Sequence, residues 1–186
     1  MEKTRRKTHL RAALLRARRE LAPAERAAAV GAIEKAVIRW WETLRPDSLG
    51  VYWPIRGEPD LRPLYALLQA RGVRLALPVV EDADTERPLR FLAWAPGEPL
   101  LEDRFGAAAP ASRTVLQPAA LLIPCVGFNA QRIRLGYGGG FYDRMLALTP
   151  RPLTLGVAYD SAEARFDAEA HDIALDAIAT EKRLLE

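Results

Sequence analysis

The apolar residues near the start of the chain recur with the period of a helix. They stand at intervals of four, three and four residues: Leu10, Leu14, Ala17 and Leu21. This spacing places them on one face and predicts an amphipathic helix over about residues 4–20. Apolar residues at helical spacing continue after Pro23, a residue suited to the first position of a helix. They predict a second helix to about residue 44, where Arg45-Pro46-Asp47 breaks the pattern.

Two shorter helices are predicted further along the chain. Asp60 can cap a helix that extends to about Arg71. Four leucines are expected on the buried side of this helix: Leu61, Leu64, Leu67 and Leu68. The other helix, from about Phe141 to Leu148, follows a loop rich in glycine.

Short apolar runs between these helices predict buried strands. They cover residues 49–53, 73–80, 89–94, 119–124, 153–159 and, more briefly, 177–180. The polar residues 81–88 predict a loop, and residues 95–118, with four prolines, predict mostly irregular chain. Helices that alternate with continuous apolar strands favour an α/β fold. We therefore predict a three-layer α/β/α architecture with a mostly parallel, mixed sheet, in a single domain over residues 1–186.

Composition narrows the class of protein. The 186 residues are 49% hydrophobic and 27% charged, which is ordinary for a globular protein and excludes disorder, collagen and coiled coil as the main architecture. Cys125 is the only cysteine, so neither an intrachain disulfide nor a cysteine metal cage can form. No apolar run approaches the roughly 18 residues of a membrane span. We expect a cytoplasmic protein, although the arginine-rich start also fits a transit peptide.

Positive charge is concentrated in the first predicted helix. Residues 1–19 hold eight lysines and arginines against the single acid Glu2, a net charge of +7, whereas the rest of the chain sums to −4. Such a segment can meet nucleic acid, a membrane surface or a polyphosphate, or can simply be a solvated face. No aromatic residue precedes Trp40, which argues against an RNA-stacking surface.

The chemistry-bearing segment is 121–144, LLIPCVGFNAQRIRLGYGGGFYDR. A buried strand leads into a loop with four glycines and then into a helix. Glycines let the backbone approach a ligand, and exposed backbone N–H groups favour an anion. Arg134 adds a planar fork of donors suited to phosphate, and Asp143 could face a metal held by the phosphates. The spacing fits neither the dinucleotide fingerprint nor the P-loop, so the residues indicate a phosphate loop of unassigned type or a flexible turn.

The string RLGYGGGFYD (134–143) resembles the signature of the 5-formyltetrahydrofolate cyclo-ligase family. The likeness covers nearly the whole chain. It includes the basic helix start at 7–11, the strand-end segment WPIRGEPD (53–60), the lead IPCVGF (123–128) and the C-terminal pattern over 159–181. The glycine loop is the most specific of these elements.

The resemblance implies an enzyme that converts 5-formyltetrahydrofolate and MgATP to 5,10-methenyltetrahydrofolate, ADP and phosphate. In this family the formyl oxygen attacks the γ-phosphate, N10 closes the ring, and phosphate leaves last. Such chemistry needs positioning and charge neutralisation more than a side-chain nucleophile. The sequence agrees, since it offers no Ser-His-Asp or Cys-His constellation.

By the same resemblance, residues are assigned to ATP and to Mg²⁺. Lys7, Arg11 and Arg134 would neutralise the phosphates. The loop that would wrap them comprises Leu135, Gly136, Tyr137, Gly138, Gly139, Gly140, Phe141 and Tyr142. Arg134 and Tyr142 would be the catalytic residues. Asp143 and Asp172 would bind Mg²⁺, which takes only one or two carboxylates.

Further residues are assigned to the folate. Glu58 would accept hydrogen bonds from the pterin, and the walls of the pocket would be Trp53, Tyr137 and Phe141. Each assignment has a plainer alternative. Lys7 and Arg11 could be solvated, Asp172 could cap a turn, Glu58 could lie on a loop surface, and Trp53 could be core.

The chain departs from the family pattern at several positions. Gly139 stands where many members carry lysine, Phe141 where tyrosine is common, Ala109 where glutamate is usual, and Asn129 where aspartate is frequent. These departures keep two alternatives open: an ATP-dependent ligase of the same fold with another substrate, and a catalytically weak folate- or RNA-binding module. We expect small-molecule substrates, a monomer, and no membrane or nucleic-acid partner.

Overall fold

The computed structural model describes residues 2–80, 89–103 and 106–186. The loop predicted at 81–88 lies outside the described residues. The helices are α1 (Glu2–Glu20), α2 (Pro23–Leu44), α3 (Arg62–Ala70) and α4 (Phe141–Leu146). The strands are β1 (Ser48–Gly50), β2 (Arg74–Val80), β3 (Leu89–Ala93), β4 (Leu100–Glu102), β5 (Ala108–Pro110), β6 (Ala120–Pro124), β7 (Gly127–Phe128), β8 (Arg134–Leu135), β9 (Leu153–Val157), β10 (Ala177–Ala179) and β11 (Leu184–Leu185).

A mixed sheet forms the middle of the fold. Within the described chain it has seven strands in the order β11-β10-β9-β6-β1-β2-β3. Its five inner strands pair in parallel, while the edge strands β3 and β11 pair antiparallel with their neighbours. The predicted α/β class with a mostly parallel, mixed sheet is therefore confirmed.

The faces of the sheet carry separate apolar layers. Alternate residues of a strand point to opposite faces. Leu122 of β6 accordingly packs with residues of α2 and α3, including Trp40 and Leu64. Leu121, its neighbour in β6, packs on the other face with Leu146 of α4. The predicted three-layer arrangement follows from this alternation.

Several boundaries differ from the predictions. The first strand ends at Gly50 rather than residue 53, although the Val51 amide still donates to the Ala76 carbonyl of β2. The region 95–118 contains the antiparallel pair β4–β5, and the loop after β6 contains the pair β7–β8. The edge strand β11 was not predicted. These short pairs lack the long apolar runs on which strand prediction relies.

Two residues predicted on buried helix faces are exposed. Leu67 of α3 is 41% exposed, although Leu64 and Leu68 of that helix, and Leu61 just before it, are buried. Ala17 of α1 is also exposed, and its neighbour Arg18 is buried instead, with 3% exposure. At this point α1 faces a polar group, the Cys125 carbonyl, to which Arg18 donates. The hydrophobic period therefore predicted Ala17 as the buried residue, whereas the buried residue is Arg18.

Gly50 lies at the tightest point of the central sheet. A methyl group there would stand 2.4 Å from Leu121 Cδ2 and 2.6 Å from Phe91 Cε1. We expect Gly50→Ala to lower the free energy of unfolding by about 1–3 kcal/mol, the usual cost of overpacking. Gly31→Ala is the matched control, because nothing lies within 4 Å of a methyl group at that helical position. It should stabilise slightly, and equal effects of the two variants in urea unfolding would contradict the packing argument.

Among the described residues, no helix is both long and apolar enough to cross a lipid bilayer.

Candidate functional site

The connections of the sheet diverge between the adjacent strands β1 and β6. The chain leaves β1 through α3 to reach β2 on one side, and leaves β6 through α4 to reach β9 on the other. Such a divergence opens a crevice at the carboxyl ends of the two strands, where open α/β sheets bind ligands. The segments that follow β1 and β6, residues 51–60 and 125–143, contain most of the predicted site residues.

A cavity of about 690 Å³ occupies this crevice. Every residue that the sequence assigned to ATP, Mg²⁺ or folate lines it: Lys7, Arg11, Trp53, Glu58, Arg134, Leu135, Gly136, Tyr137, Gly138, Gly139, Gly140, Phe141, Tyr142, Asp143 and Asp172. Helix α1 brings in the first two of these residues. The structure thus brings together groups from four separate parts of the chain.

The glycine loop after β8 is shaped by close contacts. Gly138 has a φ of +103°, a backbone conformation that residues other than glycine rarely adopt. A methyl group at Gly136 would stand 2.3 Å from the Arg134 Nη1. Helix α1 holds the loop from outside, since Arg11 Nε donates to the Gly136 carbonyl at 2.6 Å. This hydrogen bond ties the glycine loop to α1.

Arg134 is a buried cation beside the loop. Its side chain is 6% exposed, and Nη2 donates to Asp143 Oδ2 at 2.7 Å. The guanidinium carbon lies 5.1 Å from the ring centre of Tyr142. The buried Nε has no acceptor among the described residues. Unpaired buried donors are rare in folded proteins, so this N–H needs a partner that the described residues do not supply.

Lys7 meets a carboxylate cluster at the other side of the cavity. Its ammonium lies 2.7 Å from Asp172 Oδ2 and 3.4 Å from Glu169 Oε2. Burial acts to raise the pKa of Asp172, but the bonds from Lys7 and the Glu169 amide outweigh it and lower that pKa below its ordinary value. His171 completes the cluster, and one ligand atom from each of Glu169, His171 and Asp172 lies within 4.8 Å of the others. Asp172 therefore caps a turn and also binds Lys7.

Glu58 is buried at the folate side predicted from the sequence. Only 4% of it is exposed, which excludes the alternative of a loop surface. Oε1 accepts from the Tyr137 hydroxyl at 2.8 Å, and Oε2 accepts from the Ile55 amide at 3.0 Å. The segment that carries Glu58 is held in place by a second hydrogen bond, in which the Tyr52 hydroxyl donates to the Pro59 carbonyl at 2.6 Å. A carboxylate is thus fixed in the cavity wall.

The burial of Trp53, Tyr142 and Cys125 limits what each of these residues can do in the site. Trp53 is half-buried and lines the cavity. Its ring packs edge-on against that of Trp94, with 5.9 Å between the ring centres, so Trp53 contributes to both the cavity wall and the core. Burial raises the pKa of Tyr142 well above its ordinary value, so its hydroxyl stays neutral. Cys125 is fully buried, and burial raises the pKa of its thiol to about 11. This excludes a thiolate nucleophile at neutral pH.

The charged residues in or beside the cavity that sequence reasoning missed include Arg18, Arg56 and Glu169. The signal for Arg18 was present, because Lys7, Arg11 and Arg18 stand four and seven residues apart on one helix face. Arg56 lies 5.3 Å over the Tyr137 ring. Nothing in the local pattern distinguishes Arg56 or Glu169 from ordinary surface charges.

Comparisons with known proteins agree with this geometry. Residues 3–181 match the model of the 5-formyltetrahydrofolate cyclo-ligase family. A 5-formyltetrahydrofolate cyclo-ligase of Mycolicibacterium smegmatis is 31% identical over 190 residues, covering 95% of this chain and 94% of the relative. One of Escherichia coli strain K12 is 33% identical over 147 residues, covering 75% of this chain and 80% of the relative.

Solved structures show the same architecture. The 5,10-methenyltetrahydrofolate synthetase of Aquifex aeolicus superposes with a TM-score of 0.80 at 30% identity, covering 96% of this chain and 91% of that one. The synthetase of Mycoplasma pneumoniae, at 24% identity and a TM-score of 0.77, shares the fold over 94% of this chain and 98% of its own. With a family match over almost the whole length and relatives above 30% identity, the chain belongs to the 5-formyltetrahydrofolate cyclo-ligase family.

Proposed function

We propose that the protein converts 5-formyltetrahydrofolate and ATP to 5,10-methenyltetrahydrofolate, ADP and phosphate. The observation that carries this proposal is the pairing, in one cavity, of a buried arginine with an unsatisfied N–H and a buried carboxylate. Arg134 suits the polyphosphate of one substrate, and Glu58 suits the hydrogen-bond donors of a pterin. Family membership makes these two ligands the natural pair for the two groups.

The phosphates are assigned to the side of the cavity formed by the glycine loop and α1. Arg134 offers its free Nε and a rigid charge that Asp143 and the Tyr142 ring hold in place. Arg11 is fixed on the loop carbonyl of Gly136, so its remaining donors keep a defined direction. Preorganised donors of this kind stabilise the charge that develops on a transferring phosphoryl group.

The folate is assigned to the side formed by Glu58 and the aromatic walls. The Glu58 oxygens each accept one hydrogen bond within the protein and retain lone pairs for the amino and ring N–H groups of a pterin. Trp53 and Phe141 provide the apolar faces.

The reaction then needs two displacements. The formyl oxygen attacks the γ-phosphorus, the bond to the bridging oxygen breaks, and ADP leaves. N10 next bonds to the activated formyl carbon and loses its proton, while the carbon–oxygen bond breaks and releases phosphate. Arg134 neutralises charge on the transferring phosphoryl group, and the neutral Tyr142 hydroxyl is assigned as a hydrogen-bond donor to the same oxygens.

The donor set of the cavity fits Mg²⁺. Carboxylate oxygens are the ligands that Mg²⁺ prefers, and it usually keeps several waters. Asp172 and its neighbour Glu169 provide such oxygens beside Lys7, while Asp143 provides others beside Arg134. When bound with ATP, the ion would neutralise phosphate charge; Asp143 and Asp172 are the residues assigned to hold it.

A direct assay tests the proposed function. Purified protein is mixed with 5-formyltetrahydrofolate, ATP and Mg²⁺, and the absorbance of the methenyl product is followed together with ADP release. We expect both products at equal rates, and neither without ATP. Binding of ATP with no methenyl product would favour a ligase for another substrate. Absence of both product and ATP binding, with salt-sensitive binding of RNA, would favour the binding module.

Glu58→Gln tests the folate assignment. The amide keeps the shape but loses the charge, so we expect the KM for 5-formyltetrahydrofolate to rise about tenfold, the value of one charge-assisted hydrogen bond. The KM for ATP should stay within about twofold. Glu42→Gln, on the exposed surface of α2, is the control for loss of one carboxylate. Equal rises of both KM values would overturn the pterin role of Glu58.

A further inference from the structure

Arg18 is a buried cation outside the predicted site. Only 3% of it is exposed, and its Nη2 donates to the Cys125 carbonyl at the end of β6. Its Nη1 lies 3.5 Å from the Tyr137 hydroxyl. No carboxylate of the described residues lies within ion-pair distance of it. A buried charge without an ion pair is costly unless something else compensates it.

The compensation comes through Tyr137. The chain of contacts runs from Arg18 to the Tyr137 oxygen at 3.5 Å and from the Tyr137 hydroxyl to Glu58 Oε1 at 2.8 Å. A guanidinium can only donate hydrogen bonds. The Tyr137 oxygen therefore accepts from Arg18, and its single proton is directed to Glu58. The negative charge of Glu58 in turn offsets the buried positive charge of Arg18.

We propose that Arg18 is a positioning residue for folate recognition: it orients the Tyr137 hydroxyl toward Glu58, so that this carboxylate is held in place with its remaining lone pairs free for the pterin. This inference rests on the proposed function, in which Glu58 binds the pterin. It extends the site to a residue of α1 that touches neither substrate. It also gives the basic first helix a second task besides presenting Lys7 and Arg11 to the phosphates.

The surroundings of Glu58 set the expected pH dependence. Burial raises its pKa above the ordinary value, while the Ile55 amide, the Tyr137 hydroxyl and the charge of Arg18 act in the opposite direction. The other ionisable groups that influence or face it are Arg56, Tyr52, Tyr65, Tyr142 and Cys125. Folate affinity should therefore fall as the pH decreases through the pKa of Glu58. Without Arg18 that pKa rises further, and the fall begins at higher pH.

Arg18→Met tests the inference through ligand affinities, without a measurement of turnover. The dissociation constants of 5-formyltetrahydrofolate and of ATP are measured between about pH 5.5 and 8, a range that lies above the ordinary carboxyl pKa. We expect the midpoint of the folate profile to move to higher pH, because Glu58 loses a nearby positive charge. We also expect the affinity at neutral pH to fall about tenfold, because the Tyr137 hydroxyl is no longer oriented toward Glu58. ATP affinity should be unchanged. Arg19→Met is the control, since this exposed neighbour removes the same charge from α1.

Two further variants keep the test decisive. In Glu58→Gln the pH dependence should flatten, because the titrating group is gone. If Arg18→Met does not fold, Arg18→Lys supplies the test: it keeps the charge but cannot reach both Cys125 and Tyr137. A weakened folate affinity with an unmoved pH midpoint would then support the inference.

The outcomes separate this inference from the proposed function. An Arg18→Met profile that coincides with wild type, or an Arg18→Lys affinity equal to wild type, would overturn the positioning role while leaving the function intact. A wild-type protein that binds no 5-formyltetrahydrofolate would instead overturn the proposed function, and the inference with it.

Discussion

Arg134→Ala is expected to lower turnover by about a thousandfold, the largest effect predicted for this protein. The variant removes the buried charge that we assign to the transferring phosphoryl group, together with a buried side-chain N–H that has no acceptor among the described residues. Because this interaction strengthens in the transition state, kcat should fall far more than the KM for ATP rises. Rates are measured as formation of methenyl product at saturating substrates.

Arg39→Ala is the matched control, since this arginine is exposed on α2 and does not line the cavity. It should retain the wild-type rate. Circular dichroism and thermal unfolding then establish that Arg134→Ala is folded. A folded variant with a near-normal rate would remove Arg134, and with it the glycine loop, from the mechanism.

Asp143→Ala is the variant with the second-largest expected effect. It should lower both the free energy of unfolding and the turnover. The side chains of Arg134 and Asp143 are 6% and 14% exposed, so removal of the carboxylate leaves a buried positive charge unpaired. Breaking a buried pair in this way costs about 3 kcal/mol. We expect that loss in urea unfolding, and a fall in turnover of at least about a hundredfold because Arg134 is no longer held in position.

A double variant separates pairing from any independent role of Asp143. If the carboxylate acts through Arg134, Arg134→Ala and Asp143→Ala together should be hardly worse than Arg134→Ala alone. If Asp143 also holds Mg²⁺, as assigned, the double variant should additionally need a higher Mg²⁺ concentration for its residual rate. Additive losses with unchanged Mg²⁺ dependence would contradict both roles.

The fold was predictable because its largest signals are local. Helical spacing identified α1, α2 and α3, and apolar runs identified the long strands, since burial on both faces of a parallel sheet requires continuous hydrophobic residues. The strand pairs β4–β5 and β7–β8 were missed for the converse reason. Each of their strands has only two or three residues, and hydrogen-bonded partners distant in sequence stabilise them.

The candidate site was predictable as a set of residues but not as a set of contacts. A ten-residue signature and four accompanying segments identified the residues that line the cavity. They could not indicate that Asp143 holds Arg134, that Lys7 holds Asp172, or that Tyr137 holds Glu58. The last two of these pairs join residues 165 and 79 positions apart.

The sequence by itself determined the α/β class, the position of the glycine loop and the family resemblance, because each depends on residues that are neighbours along the chain. Only the tertiary structure decided which charges are buried, and what each one pairs with. Arg18 illustrates the difference: in the sequence it is one of eight cations in a basic helix, and in the fold it lies beneath the glycine loop. The free-energy cost of burying a charge depends on surroundings that the folded chain assembles from distant segments. The local sequence pattern therefore cannot predict which charges are buried.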